Sequence, residues 1–271
     1  MSSKNNSNSL NPDYFYLPFP KFNEEEYEKL ANNKLINKFI FGPTFVPFFW
    51  NFFPYQSSWK EKRFSEILSK IKGLVIHSER VRDYLAIKSN TTNKLNNYII
   101  MRACTNIKPN KVKSFKKRKI DILFFEKYGD LNREKQGEEL MNLLNKTNKI
   151  IARIQYGKYN KTIMTEYAND SKFIIYFSFY DTGAIGLKEI QNYGVFAFTL
   201  QKDLVIDKET TFYIPELSSQ DTISLASQKI IKIIDIISEK KPNSELIAKK
   251  NQMINRCENS LKDLCKRLLN S

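Results

Sequence analysis

A chain of 271 residues with 41% hydrophobic and 13% aromatic content can bury one large core or two smaller ones, which excludes a disordered protein. Its 44 Lys and Arg against 29 Asp and Glu give a net charge of +15, compatible with a nucleic acid, an anionic membrane or a phosphorylated ligand. A single histidine nearly excludes histidine-based metal centres, and three widely spaced cysteines (Cys104, Cys257, Cys265) form neither a disulfide framework nor a zinc pattern.

The first dozen residues, MSSKNNSNSLNP, have little to bury, and 1–35 reads as a polar tail and lead-in. With no apolar signal segment, the expected location is the reducing cytoplasm, with a peripheral membrane position left open. FIFGPTFVPFFWNFFPY (39–55) is too short and too proline-rich to span a membrane. It reads as buried loop and strand, or as a surface patch for lipid or a hydrophobic acceptor.

Short β-rich runs follow in order: 38–42, 73–78, 97–103, 119–127, 149–157, 172–178, 195–200 and 211–215. Helical patterns fill the gaps at 59–72, 78–89, 133–147, 162–170, 186–193 and 224–240, with a last one over 244–269. Continuous apolar strands alternating with helices predict an α/β protein whose sheets are mostly parallel and covered on both faces. The basic stretch NIKPNKVKSFKKRK (106–119) reads as a solvated linker, with a nucleic-acid patch as the alternative. A boundary near 116 separates 36–115 from 116–241, and 242–271 forms a C-terminal helix. In that helix Leu246, Ile247, Met253 and Ile254 recur at helical spacing, so the nearby cysteines read as packing residues.

The chain has no phosphate-binding GxxxxGK[ST] loop, no GxSxG elbow, no HExxH and no DxD. His77 at the end of a predicted strand reads as a structural residue. YDTGAIGLKEIQNYG (180–194) is the richest stretch, a glycine-spaced turn opening a helix, with Asp181 before it and Glu189 on its second turn. Gly183 permits close backbone approach to a ligand. The alternative is structural: Asp181 as the helix N-cap, Glu189 in solvent and Gly194 as the C-terminal stop.

In its context, TEYANDSKFIIYFSFYDTGAIGLKEIQNYGVFAFT (165–199) resembles the donor-binding region of retaining, family-4-like glycosyltransferases of the GT-B fold: short helix, strand ending in Ser, acid-x7-acid, then glycine. The series IKGLVIHSERVRDYL, NYIIMRACTNIKP, KIDILFFEKYGDLNREKQGEELMNLL and TTFYIPELSSQDTISLASQKIIKII extends the likeness over 71–240. The resemblance implies two Rossmann-like domains, an abbreviated acceptor side (36–115) and a donor domain (116–241), plus the C-terminal helix. It implies transfer of a sugar from a nucleotide-diphosphate sugar to a glycan, lipid or protein acceptor, with retention and without metal or other cofactor. Glu189 would hold the donor ribose, and Asp181 would contact the donor sugar near the reacting centre. The backbone around Gly183, Ala184 and Ile185 would face the diphosphate. Lys127, Lys135 and Arg133 would neutralise the leaving group. Asp181 stands where the family usually has Glu, and the turn reads TGAIGL where an aromatic and a glycine are more usual. The short acceptor side leaves open an oligomer or partner chain that completes it, or a non-catalytic module binding a nucleotide, glycan or protein. No specific nucleic acid is expected.

Overall fold

A computed structural model describes residues 15–17, 24–44, 66–67, 69–76, 98–100, 105, 107–127, 131–178, 184–205, 207–215, 217 and 219–256. The chain divides into two compact units, Met1–Arg102 with Asn259–Ser271, and Ala103–Glu258.

The first unit is built on a parallel sheet of four strands, β1 (Phe15–Leu17), β2 (Phe39–Thr44), β3 (Gly73–Ile76) and β4 (Tyr98–Ile100), hydrogen-bonded in that order. The helix α1 (Glu24–Ala31) links the first two strands. Phe15 lies opposite Phe39, Ile40 opposite Gly73 and Leu74 opposite Tyr98. The segment 1–35 is thus more than a tail, because FYL supplies an edge strand, and Leu30 and Ala31 of α1 are buried. Three β-prone residues are too short a run to stand out in a sequence. The predicted helix 78–89 and His77 lie outside the described residues.

The second unit holds five parallel strands: β5 (Ile120–Lys127), β6 (Ile151–Gln155), β7 (Ser171–Ser178), β8 (Phe196–Thr199) and β9 (Thr211–Tyr213), in the spatial order β6-β5-β7-β8-β9. Its helices are α2 (Leu131–Asn145), α3 (Lys161–Asp170), α4 (Ile185–Gln191), α5 (Gln220–Lys240) and α6 (Ser244–Asn255). The mostly parallel α/β architecture matches the expectation from the sequence.

Strand period two divides the core between the faces of this sheet. Ile122 and Phe124 of β5 pack with Leu140, Met141 and Leu144 of α2 and with Ile223, Ala226, Ile230 and Ile234 of α5. Leu123 and Phe125 point the other way, to Met164 and Ala168 of α3 and to Leu187 and Ile190 of α4. Both faces are covered, which explains why these strands are continuously apolar.

The stretch 106–119 is not a solvated linker. Phe115 is buried, with its ring edge-on to Phe173 at 5.9 Å and to Phe196 at 6.3 Å between centroids. Arg118 is 3% exposed and donates to the carbonyls of Lys113, Ser171, Tyr193 and Gly194. Lys113 N–H donates to Asn169 Oδ1 at 2.9 Å, and Thr105 N–H donates to Asn255 O at 3.0 Å. The segment is a strap across the second unit, held by one aromatic and one guanidinium among lysines that stay in solvent.

In α6 the helical spacing of Leu246 and Met253 does not mark a buried face, since they are 66% and 75% exposed. The buried side is Ala248, Asn251 and Asn255, with Ile247 packing at the edge of the core. The cysteines lie outside the described residues.

Candidate functional site at the carboxyl end of the second sheet

The chain runs from β5 to β6 on one side of β5, then returns to place β7 on the other. After β5 it enters α2 on one face; after β7 it enters α4 on the opposite face. The connections therefore diverge above the carboxyl ends of β5 and β7, the place where a doubly wound sheet opens a crevice for a ligand. Lys127 and Ser178 are register partners at this point.

Four of the residues singled out in the sequence come to this end of the sheet. Lys127 ends β5, and its Nζ lies 4.6 Å from the centroid of the Tyr156 ring, a cation–π contact that holds the ammonium at the rim. Arg133 and Lys135 belong to the first turns of α2, where Arg133 Nη1 donates to Gln136 Oε1 at 2.9 Å and Lys135 is exposed. Glu189 lies on α4, its side chain 16% exposed, with Lys161 Nζ 3.4 Å from Oε1. Asp181 and Gly183 fall in 179–183, outside the described residues, directly between β7 and α4.

The residue that precedes α4 is Ala184, so Asp181 is not its N-cap. Ala184 adopts a left-handed conformation (φ 46°), is fully buried, and supplies no side-chain cap. An alanine pays a steric penalty there, and such strain is held only where the surroundings over-determine the backbone. Ile185 follows, 42% exposed. A methyl group added at Gly186 would stand 3.5 Å from the Phe125 ring, which sets the first turn of α4 over the end of β5.

Beneath this rim lie polar groups that the sequence reading did not single out. Ser178, Thr199 and Gln201 are buried at the ends of β7 and β8, and Gln201 Nε2 donates to Ser178 O at 3.1 Å. Glu126, one residue before Lys127, is 1% exposed and forms an ion pair with Arg153 of β6. Arg153 also pairs with Glu138 of α2. Burial disfavours the Arg153 charge, but hydrogen bonds and attraction from both carboxylates outweigh this and raise its pKa. Among the described residues, no group of three or more His, Cys, Asp or Glu side chains is gathered as a metal site.

No protein-family model matches the sequence, and no curated protein matches it either. Solved structures do match in fold. A mutant form of TarM from S. aureus, solved in complex with fondaparinux, alpha-GlcNAc-glycerol and UDP, superposes with a TM-score of 0.53 at 13% identity, over 90% of this chain and 57% of that one. A sucrose-phosphate synthase from Thermosynechococcus elongatus gives 0.55 at 9% identity, over 86% and 66%. A structure of accessory secretory protein 1, 2 and 3 in Streptococcus pneumoniae gives 0.50 at 9% identity, over 95% and 54%. The chain therefore spans between about half and two thirds of the structures it matches. Its fold is of the GT-B type, as the acid-x7-acid region and its flanking series implied.

Proposed function

We propose that this chain binds a nucleotide-diphosphate sugar at the carboxyl end of its second sheet and transfers the sugar to an acceptor. The observation that carries this reading is the convergence of Lys127 and Glu189-bearing α4 on the β5/β7 divergence. The TarM structure of like fold holds UDP.

In this reading the Glu189 carboxylate accepts hydrogen bonds from the donor ribose. Asp181 contacts the donor sugar near its anomeric carbon, and the main chain of Gly183, Ala184 and Ile185 faces the diphosphate. The bond from anomeric carbon to phosphate oxygen breaks, and the nucleoside diphosphate leaves with the electron pair. The acceptor hydroxyl forms the new bond on the same face, with retention, and passes its proton to the departing diphosphate oxygen. Lys127, Lys135 and Arg133 offset the negative charge growing on the leaving group, so the step uses no metal. The acceptor is a glycan, a lipid or a protein.

Incubation with a panel of nucleotide sugars tests this through donor hydrolysis and transfer. Turnover with one donor, reduced at least tenfold by Asp181→Ala or Lys135→Ala, is the expected outcome, in line with roughly 1.4 kcal/mol or more of transition-state stabilisation each. No turnover and no binding of any donor would refute it. A second reading is a non-catalytic nucleotide- or partner-binding module; a structure of like fold is that of accessory secretory protein 1, 2 and 3 together. Tight nucleotide binding without hydrolysis, with turnover appearing only on addition of a partner protein, separates the two.

A further inference from the structure

Helix α4 has only seven residues, yet the backbone carbonyls around its C-terminal end are gripped by side chains from distant parts of the chain. Asn255 Nδ2 donates to Lys188 O at 3.3 Å and to Asn192 Oδ1 at 3.0 Å. Asn251 Nδ2 donates to Gln191 O at 2.8 Å, and Gln252 Nε2 donates to Asn192 O at 3.1 Å. One residue further, Arg118 Nη2 donates to Tyr193 O at 2.5 Å. Lys188 O and Gln191 O also accept the Asn192 and Gly194 N–H groups, so the amides of α6 add second bonds there, while Gln252 and the Arg118 guanidinium reach Asn192 O and Tyr193 O, carbonyls that follow the helix end. The Arg118 charge also opposes the negative end of the α4 dipole.

These contacts are buried. Asn251 and Asn255 are 2% and 4% exposed, and Asn192 is 1% exposed. Asn192 Nδ2 in turn donates to Ile107 O at 2.9 Å. An apolar seam would hold two helices together in several rotations. A row of buried amides matched to particular carbonyls admits one, because rotating α4 by a single residue, about 100°, leaves buried polar groups without partners. Glu189 follows directly on Lys188, whose carbonyl Asn255 holds. The clamp therefore acts within one turn of that carboxylate.

We propose that Asn251, Gln252 and Asn255 are positioning residues, acting through α4 to aim Glu189 at the donor ribose. The role rests on the donor-site reading above. It predicts that loosening the amide row weakens nucleotide binding only as far as Glu189 contributes to it, and that it frees the backbone of α4 before the rest of the unit.

The test uses the full chain, with UDP as the calorimetric probe and hydrogen exchange read in parallel. In Asn255→Ala, the amides of Asn192, Tyr193 and Gly194 are expected to exchange about tenfold faster, as loss of one buried hydrogen bond implies, while those of α5 stay unchanged. The Kd for UDP rises about tenfold in the parent background and by less than about twofold in Glu189→Ala, the non-additivity of residues acting as one unit. Gln252→Ala, at a half-buried position, gives the same pattern more weakly and keeps the test decisive should Asn255→Ala not fold. Unchanged exchange at Asn192, Tyr193 and Gly194, or affinity losses that multiply in the double variant, overturns the clamp. Failure of the parent protein to bind UDP removes the donor-site reading and with it the proposed role, a result distinct from either of those.

Discussion

Glu126 lies one residue before the end of an apolar strand with its carboxylate sealed from solvent, and Arg153 is the cation that reaches it. Removing one member of such a pair leaves the other's charge poorly compensated, whereas replacing both by apolar groups is often close to neutral. Arg153→Leu alone is therefore expected to cost about 3 kcal/mol in denaturant unfolding, and Glu126→Leu with Arg153→Leu to recover most of that. A double variant as unstable as the single one would contradict this account. The burial of Glu126 was not legible from the sequence, nor was that of Arg118, Asn251 or Asn255. A polar side chain is taken as solvated until the structure supplies its partners, and apart from Lys113, five positions from Arg118, these partners lie 27 to 76 positions away. The places of Lys127 at a strand end and of Glu189 on the helix that follows β7 were legible because recognisable strand and turn patterns bracket them.

Arg118 shows the same logic from the cation side. Burial lowers its pKa to about 10, with Asp170 partly opposing the shift, so the guanidinium keeps its charge at neutral pH. Four carbonyls then depend on it, and the run KVKSFKKRK owes its fixed course to this one buried member.

At the scale of elements, α4 is defined by its ends more than by its propensity. Tyr193 N–H donates to Ile190 O at 3.0 Å and Gly194 N–H to Gln191 O at 2.8 Å, closing the helix. Gly194 is left-handed (φ 74°), and a Cβ there would stand 2.1 Å from Ser244 O at the start of α6. Gly194→Ala is expected to cost at least about 2 kcal/mol, since it combines left-handed strain with a backbone clash that pushes α6 off α4. Thermal or chemical melting measures it, and a loss under about 0.5 kcal/mol, the range of an uneventful surface change, would contradict the packing described. The glycine stop was visible in the sequence. What was not visible is that the stop also makes room for α6, because nothing local links positions 194 and 244. The eight strands marked by apolar runs all appear, since burial on both faces writes itself into composition. The three-residue β1 and the eight-residue α1 do not announce themselves that way.

Across the whole second unit, two carboxylates tie outlying segments to the sheet. Burial tends to raise the Asp170 carboxyl, but the Lys113 ammonium at 3.0 Å and the Lys119 N–H at 3.1 Å outweigh it and lower its pKa. Asp207 is likewise raised by burial and lowered further by Lys250 at 3.0 Å, by the Glu209 N–H and by the Thr210 hydroxyl. Both native pKa values lie below the ordinary 3.8. Their stabilisation is thus fully present above that value and is lost as pH falls through the lower native ones. Stability should stay level from neutral pH into the weakly acidic range and drop below about pH 4, with a shallower acid limb in Asp170→Asn with Asp207→Asn. An unaltered acid limb in that double variant would assign the drop to other groups. Both carboxylates keep partial solvent contact, with side chains 21% and 15% exposed, so screening keeps the effect small. Asp170 holds the strap and Asp207 faces α6, so acid loosens the supports of α4.

The central claim is that the crevice above β5 and β7 receives a nucleotide diphosphate, with Glu189 on its ribose. Calorimetric titration of UDP into the parent protein, Glu189→Ala and Asp181→Ala tests it most directly. The account predicts saturable binding by the parent protein, with Kd raised about tenfold or more by Glu189→Ala, as expected for a lost hydrogen bond to a charged group. No saturable binding by the parent protein, or equal affinity in the Glu189 variant, would contradict it.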